Sequence, residues 1–137
     1  MKKGVVFILG VAAAAALIHV LEKPRTERNS TMSAGILELN ESNFAAEIQS
    51  GTVLVDFWAP WCGPCRMQGP ILEQAVGKVA GAKIAKVNVD DAGGVAARYG
   101  VQSIPTLIVF KDGKPVRQFV GVQQAATLIA ALEAAKQ

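Results

Sequence analysis

The chain has 137 residues, 51% of them hydrophobic, which is enough for one compact domain plus an extra segment. Its formal charge of +3 belongs to the start: five Lys/Arg face two acids before Ser33, and nine face nine from there on. A neutral body without a basic cluster argues against nucleic-acid binding, and one cysteine pair with a single histidine, His19, cannot supply the four ligands of a native zinc site.

Met1-Lys2-Lys3 is a short positive start, followed by an apolar run from Gly4 to Leu21 interrupted only by His19. As a helix these residues would span roughly 27 Å, just short of a comfortable bilayer crossing. A cleavable signal peptide would use Val5–Val11 as its apolar core and Ala12–Ala16 as the cleavage region. An uncleaved anchor would use the whole stretch, and Leu17, Ile18, Val20 and Leu21 prolong it in that direction. Lys2 and Lys3 face a similar count in Lys23, Arg25 and Arg28, so charge does not fix orientation. Residues 22–32 are polar, carry Pro24 and read as a linker. Met32 offers a third possibility, the start of a soluble protein. The expectation is a membrane-tethered or exported (bacterial periplasmic) product, cytoplasmic if translation begins at Met32.

From residue 33 to 137 the pattern is that of an alternating α/β domain. Ile36–Leu39 reads as a short first strand. Asn40, Ser42 or Asn43 is placed to cap a helix to about Gln49, with Phe44, Ala45 and Ile48 on one face. Val53–Trp58 has the β-branched, apolar character of a buried central strand. A long helix is expected from Cys62 to about Ala80, its inner face carrying Ile71, Leu72, Ala75, Val76 and Val79, with Pro70 as an internal kink. Lys83–Val89 alternates as a strand, and Ala92–Tyr99 forms a helix ended by Gly100. Ile104–Lys111 and Lys114–Val120 flank Asp112-Gly113, a strong hairpin signal. A last helix, about Gln123–Lys136, turns Ala126, Leu128, Ile129 and Leu132 largely inward. The order implies a central mixed sheet covered on both faces.

The chemistry is concentrated in Trp61-Cys62-Gly63-Pro64-Cys65, which holds both cysteines of the chain. A structural disulfide across two intervening residues would constrain little, so redox chemistry is the better account. The thiolate is the reactive form, and Cys62, following a strand and opening a helix, meets the unpaired N–H groups and dipole that favour it. Cys65 lies one turn later on the same face, within reach of a closable disulfide. Pro64 is tolerated in the first helical turn, and Gly63 leaves room for a substrate backbone. Cys62 is therefore the accessible nucleophile, and Cys65 must lose its proton to resolve the mixed disulfide. Asp56 is the candidate acceptor, because a carboxylate inside a central strand is costly unless paired or functional.

Residues 33–137 resemble the thioredoxin family throughout. The likeness runs through Val55-Asp56-Phe57-Trp58-Ala59-Pro60-Trp61-Cys62-Gly63-Pro64-Cys65-Arg66, Pro70 and Lys86-Val87-Asn88-Val89-Asp90. It continues in Tyr99-Gly100-Val101, Ser103-Ile104-Pro105-Thr106-Leu107, Phe110-Lys111-Asp112-Gly113 and Val120-Gly121. The resemblance implies the family's three-layer α/β/α fold, with Cys62 attacking, Cys65 resolving, and Asp56 assisted by Lys86 in handling the resolving cysteine's proton. It makes Ile104-Pro105 the cis-proline segment beside the sulfurs. It assigns Trp58, Trp61, Gly63, Pro64, Ile104, Pro105 and Gly121 to the substrate-binding surface. No cofactor beyond the redox-active Cys62–Cys65 disulfide, and no metal, is implied. Gly63-Pro64 resembles the reducing members, whereas Pro60 and Arg66 depart from frequent family choices.

Three functions compete. The first is a general protein disulfide reductase acting on disulfide-containing proteins and recharged by thioredoxin reductase or a membrane dithiol carrier. The second is a membrane-tethered, dedicated thiol reductase outside the cytoplasm, as in cytochrome maturation. The third is a non-catalytic binding module on the same fold, which both cysteines with Asp56 and Lys86 make the weaker case.

Overall fold

The computed structural model describes residues 32–137; the signal or anchor segment and linker expected before Met32 lie outside the described residues. The organising element is the strand Thr52–Trp58, apolar on both faces except at Thr52 and Asp56. Such a strand is stable only inside a sheet with helices on either side. Numbered in chain order, the elements are β1 (Met32–Ser33), β2 (Ile36–Leu39), α1 (Phe44–Ile48), β3 (Thr52–Trp58) and α2 (Gly63–Ala75). They continue as β4 (Ala82–Asn88), α3 (Gly93–Arg98), β5 (Thr106–Lys111), β6 (Lys114–Val120) and α4 (Ala125–Lys136). The sheet has six strands in the order β1-β2-β4-β3-β5-β6. Pairing is parallel between β2 and β4 and between β4 and β3, and antiparallel in the other three pairs, so the sheet is mixed as expected.

Alternation along β3 divides the core in two. Val53, Val55 and Phe57 face one side, where they pack with Phe44 and Ile48 of α1, Val95 and Ala96 of α3, and Phe110. Leu54 faces the other, with Leu72 and Ala75 of α2, Leu128 and Leu132 of α4, Leu107 and Val109. Helices thus cover both faces, giving the three-layer α/β/α thioredoxin fold. Each fully buried Phe or Leu stabilises it by roughly 1.5–3 kcal/mol relative to exposure. On the α1 side Phe44 is central, its ring centroid 5.5 Å from Tyr99, 5.7 Å from Phe110 and 6.3 Å from Phe57.

The structure corrects several element boundaries. α2 ends at Ala75, not near Ala80, because Gly77 takes a left-handed φ of 73° and turns the chain; Val79 still reaches the core from outside the helix. Pro70 lies inside α2, as expected. β5 begins at Thr106 rather than Ile104. Ala45 and Ala126 are exposed rather than inward, with Glu47 and Ala131 buried on the same helices instead. Alanine carries too little apolar area to fix a helix face by itself. The two-residue β1, pairing Met32 with Leu37, was not expected. The hairpin turn is where the sequence puts it: Asp112 and Gly113 both have positive φ, 49° and 84°, the requirement of a type I′ turn.

Candidate functional site: a disulfide at the head of a helix

β3 delivers the chain to the carboxyl end of the sheet, where Ala59-Pro60-Trp61 leads directly into α2. Cys62 is the N-cap of that helix, in extended conformation, and its Sγ accepts the N–H of Cys65 at 3.2 Å. That bond satisfies one of the orphan donors of the first turn, and the positive end of the helix favours negative charge on Cys62 once the disulfide is reduced. Pro64 occupies the first turn, where no N–H is needed. Cys62 and Cys65 are joined as a disulfide with Cα atoms 5.3 Å apart. Both are nearly buried, at 6% and 3% exposure, in a small cluster with Ala59, Trp58, Val89 and Ile104.

The expected surface residues fall around this pair in part. Trp61 is 68% exposed, its indole Nε1–H held by the Asp90 carboxylate at 3.0 Å. Gly63 and Pro64 are exposed, and a Cβ built on Gly63 would meet nothing within 4 Å, so the chain beside Cys62 is open to solvent although Cys62 itself, expected to be accessible, is buried. The Ile104–Pro105 peptide is cis, and the Ile104 carbonyl lies 3.7 Å from Cys62 Sγ. Gly121 joins them through its backbone N–H, which donates to the Pro105 carbonyl at 2.8 Å. Trp58 and Pro105 do not share the open surface: Pro105 is buried, and Trp58 is half-buried, with the Lys86 ammonium 4.0 Å from its ring centroid.

Asp56 and Lys86 are register partners on the adjacent strands β3 and β4. Asp56 is fully buried and neither carboxylate oxygen has a hydrogen-bond partner. Burial pushes its pKa up to about 7, against a smaller lowering by the Lys86 charge. Near neutral pH the group is therefore poised between its two protonation states, the condition for accepting and returning a proton. Alternation puts Asp56 on the Leu54 face of the sheet, the face that α2 covers.

Sequence reasoning missed Gln68. It is fully buried on α2, and its carboxamide makes two hydrogen bonds to the backbone of Gln123. The signal was its place in the inward stripe Cys65, Gln68, Leu72, Ala75, where a polar side chain demands a partner.

A disulfide capping a helix, beside an exposed Gly63 and bordered by a cis-proline loop, is the centre of a thiol–disulfide oxidoreductase. Comparisons with known proteins agree. The family model described as Thioredoxin matches residues 35–134. A thioredoxin of Staphylococcus saprophyticus is 52% identical over 99 residues, 72% of this chain and 95% of that one. One of Staphylococcus aureus is 48% identical over the same share of each chain. Among solved structures, a thioredoxin variant from Halobacterium salinarum NRC-1 superposes with a TM-score of 0.69 at 33% identity, covering 79% of this chain and 97% of that one. The chain belongs to the thioredoxin family, and it is an enzyme of the protein disulfide reductase type.

Proposed function

We propose that the protein is a general protein disulfide reductase that works through the Cys62–Cys65 dithiol. The observation that carries this reading is the position of Cys62, which caps α2 beside an open face and the cis Ile104–Pro105 peptide. In the reduced enzyme, Cys62 thiolate attacks one sulfur of a target disulfide, forming a mixed disulfide and expelling the other target sulfur as a thiolate that takes up a proton. Cys65 then gives its proton to Asp56, and its thiolate attacks Cys62 Sγ. The mixed bond breaks, the second target sulfur leaves as a thiolate that takes up a proton, and the Cys62–Cys65 disulfide forms. Two electrons pass to the target, and a partner dithiol or flavoprotein reductase restores the enzyme. Lys86 tempers the desolvation of Asp56, so that its pKa stays near neutrality instead of rising further. Trp61, Gly63, Pro64, Ile104, Pro105 and Gly121 form the surface that receives the target backbone, with Trp58 as its floor.

Turnover of insulin disulfides with a thioredoxin reductase as electron source tests the reading. Saturable reduction dependent on Cys62 supports it, and loss of the biological role only when the domain is absent, not in Cys62→Ser, would favour a binding module instead.

A second reading concerns place rather than chemistry. The apolar length from Gly4 to Leu21, interrupted only by His19, favours a tethered or exported reductase supplied by a membrane dithiol carrier. Intact mass and membrane fractionation of the native protein decide it. A full-length membrane-bound product supports the tether, and a soluble product starting near Met32 returns the protein to the cytoplasm.

A further inference from the structure

Gln68 lies three residues beyond Cys65, on the same buried face of α2. Its Nε2–H donates to the Gln123 carbonyl at 3.0 Å, and its Oε1 accepts the Gln123 N–H at 2.7 Å. A carboxamide is the neutral side-chain group that offers one donor and one acceptor side by side in this way. An apolar residue of the same size would leave both backbone groups of Gln123 without these partners.

What the clasp holds is the connection from β6 to α4. That segment begins at Gly121, whose N–H is bonded to Pro105, and the Gln123 side chain donates back to the Gly121 carbonyl at 3.3 Å. Ile104, next to Pro105, brings its carbonyl to 3.7 Å from Cys62 Sγ. From Cys65 the path runs along α2 to Gln68, across to Gln123, back to Gly121, on to Pro105 and Ile104, and returns to Cys62. It closes a ring around the disulfide, and Gln68 is its one link made by a side chain reaching across 55 residues of sequence.

We propose that Gln68 is a positioning residue for protein substrates, fixing the Gly121 side of the binding surface against Pro105. This rests on the reading that Ile104, Pro105 and Gly121 receive the target backbone. The sulfurs are held independently, by the N-cap geometry of α2, so the intrinsic exchange chemistry does not depend on the clasp.

The test is Gln68→Met, near in size but without the amide, assayed with insulin and with hydroxyethyl disulfide, which is too small to span the surface. KM for insulin is expected to rise about tenfold, the scale of one to two hydrogen bonds lost from a packed site. kcat and the hydroxyethyl disulfide rate are expected to stay within about twofold of wild type. An unchanged insulin KM, or equal slowing of both substrates, overturns the proposal. Gln68→Glu supplies a second readout, because its carboxyl offers a donor and an acceptor only when protonated. The ratio of variant to wild-type insulin KM should fall as pH is lowered from about 8 to about 5, across the titration of a buried carboxyl; a flat ratio also overturns it. Wild-type enzyme that fails on insulin but exchanges with hydroxyethyl disulfide brings down the general reductase reading and this one together. Active wild type with an unaffected Gln68→Met brings down this one alone.

Discussion

Two acids are buried among the described residues, and they live in opposite circumstances. Glu47, on α1, meets the Lys83 ammonium at 3.2 Å, and that ammonium also donates to the Glu47 carbonyl at 2.7 Å. Asp56, on β3, has its own register lysine, yet the Lys86 ammonium stands over Trp58 and the carboxylate has no hydrogen bond. The two lysines are three apart on β4, so the pleat sends them to opposite faces. The paired acid lies beside the Phe44 cluster, whereas the acid without a hydrogen bond lies toward the carboxyl end of the sheet and is the one proposed to carry a proton. The difference teaches that burial alone does not single out a candidate functional carboxylate; burial without a hydrogen-bond partner does.

The sharpest way to break this contrast is at the sulfurs. Cys62→Ser should abolish disulfide reduction, and Cys65→Ser should accumulate trapped mixed disulfides visible on non-reducing gels; full activity in both variants removes the two-cysteine mechanism. At the scaffold end, Phe44→Ala should cost about 3–5 kcal/mol in denaturant unfolding while the folded fraction keeps its exchange rate. A slowed rate in that fraction would mean that the two regions are not separable.

Asp56→Asn sharpens the contrast through pH. The native pKa near 7 lies above the ordinary 3.8, so between these values the folded state holds a proton that the unfolded state releases. Wild-type stability should therefore fall as pH rises through that window, by up to ~4 kcal/mol, and level off above it. The variant should lack this slope, be more stable than wild type above neutrality, and resolve mixed disulfides more slowly in single-turnover kinetics. Parallel stability profiles would take the buried proton out of the account. The smallest effect is expected from Lys83→Met, about 1 kcal/mol of stability with no change in reduction, because Lys83 is partly exposed and solvent screens its side of the pair.

What could be read in advance followed from local chemistry. Val53–Trp58 announces a central strand by composition, Asp112-Gly113 announces its turn by the positive φ that both residues must adopt, and the cysteine pair announces its reaction by spacing. The cis-proline loop and the place of Lys86 came through family likeness, because Pro105 in isolation reads only as a strand start. The early end of α2 was hidden because Val76 and Val79 continue the apolar spacing past the point where Gly77 turns the chain. The Gln68 clasp was hidden for a different reason: its partner is a backbone group 55 positions away, and nothing local specifies it. The cation over Trp58 was likewise invisible, since register places Lys86 opposite Asp56 but does not say which neighbour its long side chain will choose.

The outermost strand, β6, is exposed along nearly its whole length, carries Lys114, Pro115 and Arg117, and meets β5 through an irregularity at Val109/Phe110. Proline lacks a donor, charge resists stacking, and a bulge spoils the flat ladder that a foreign strand would need. This margin of the sheet therefore resists the addition of a foreign strand, a useful property in a protein whose partners are other polypeptide chains.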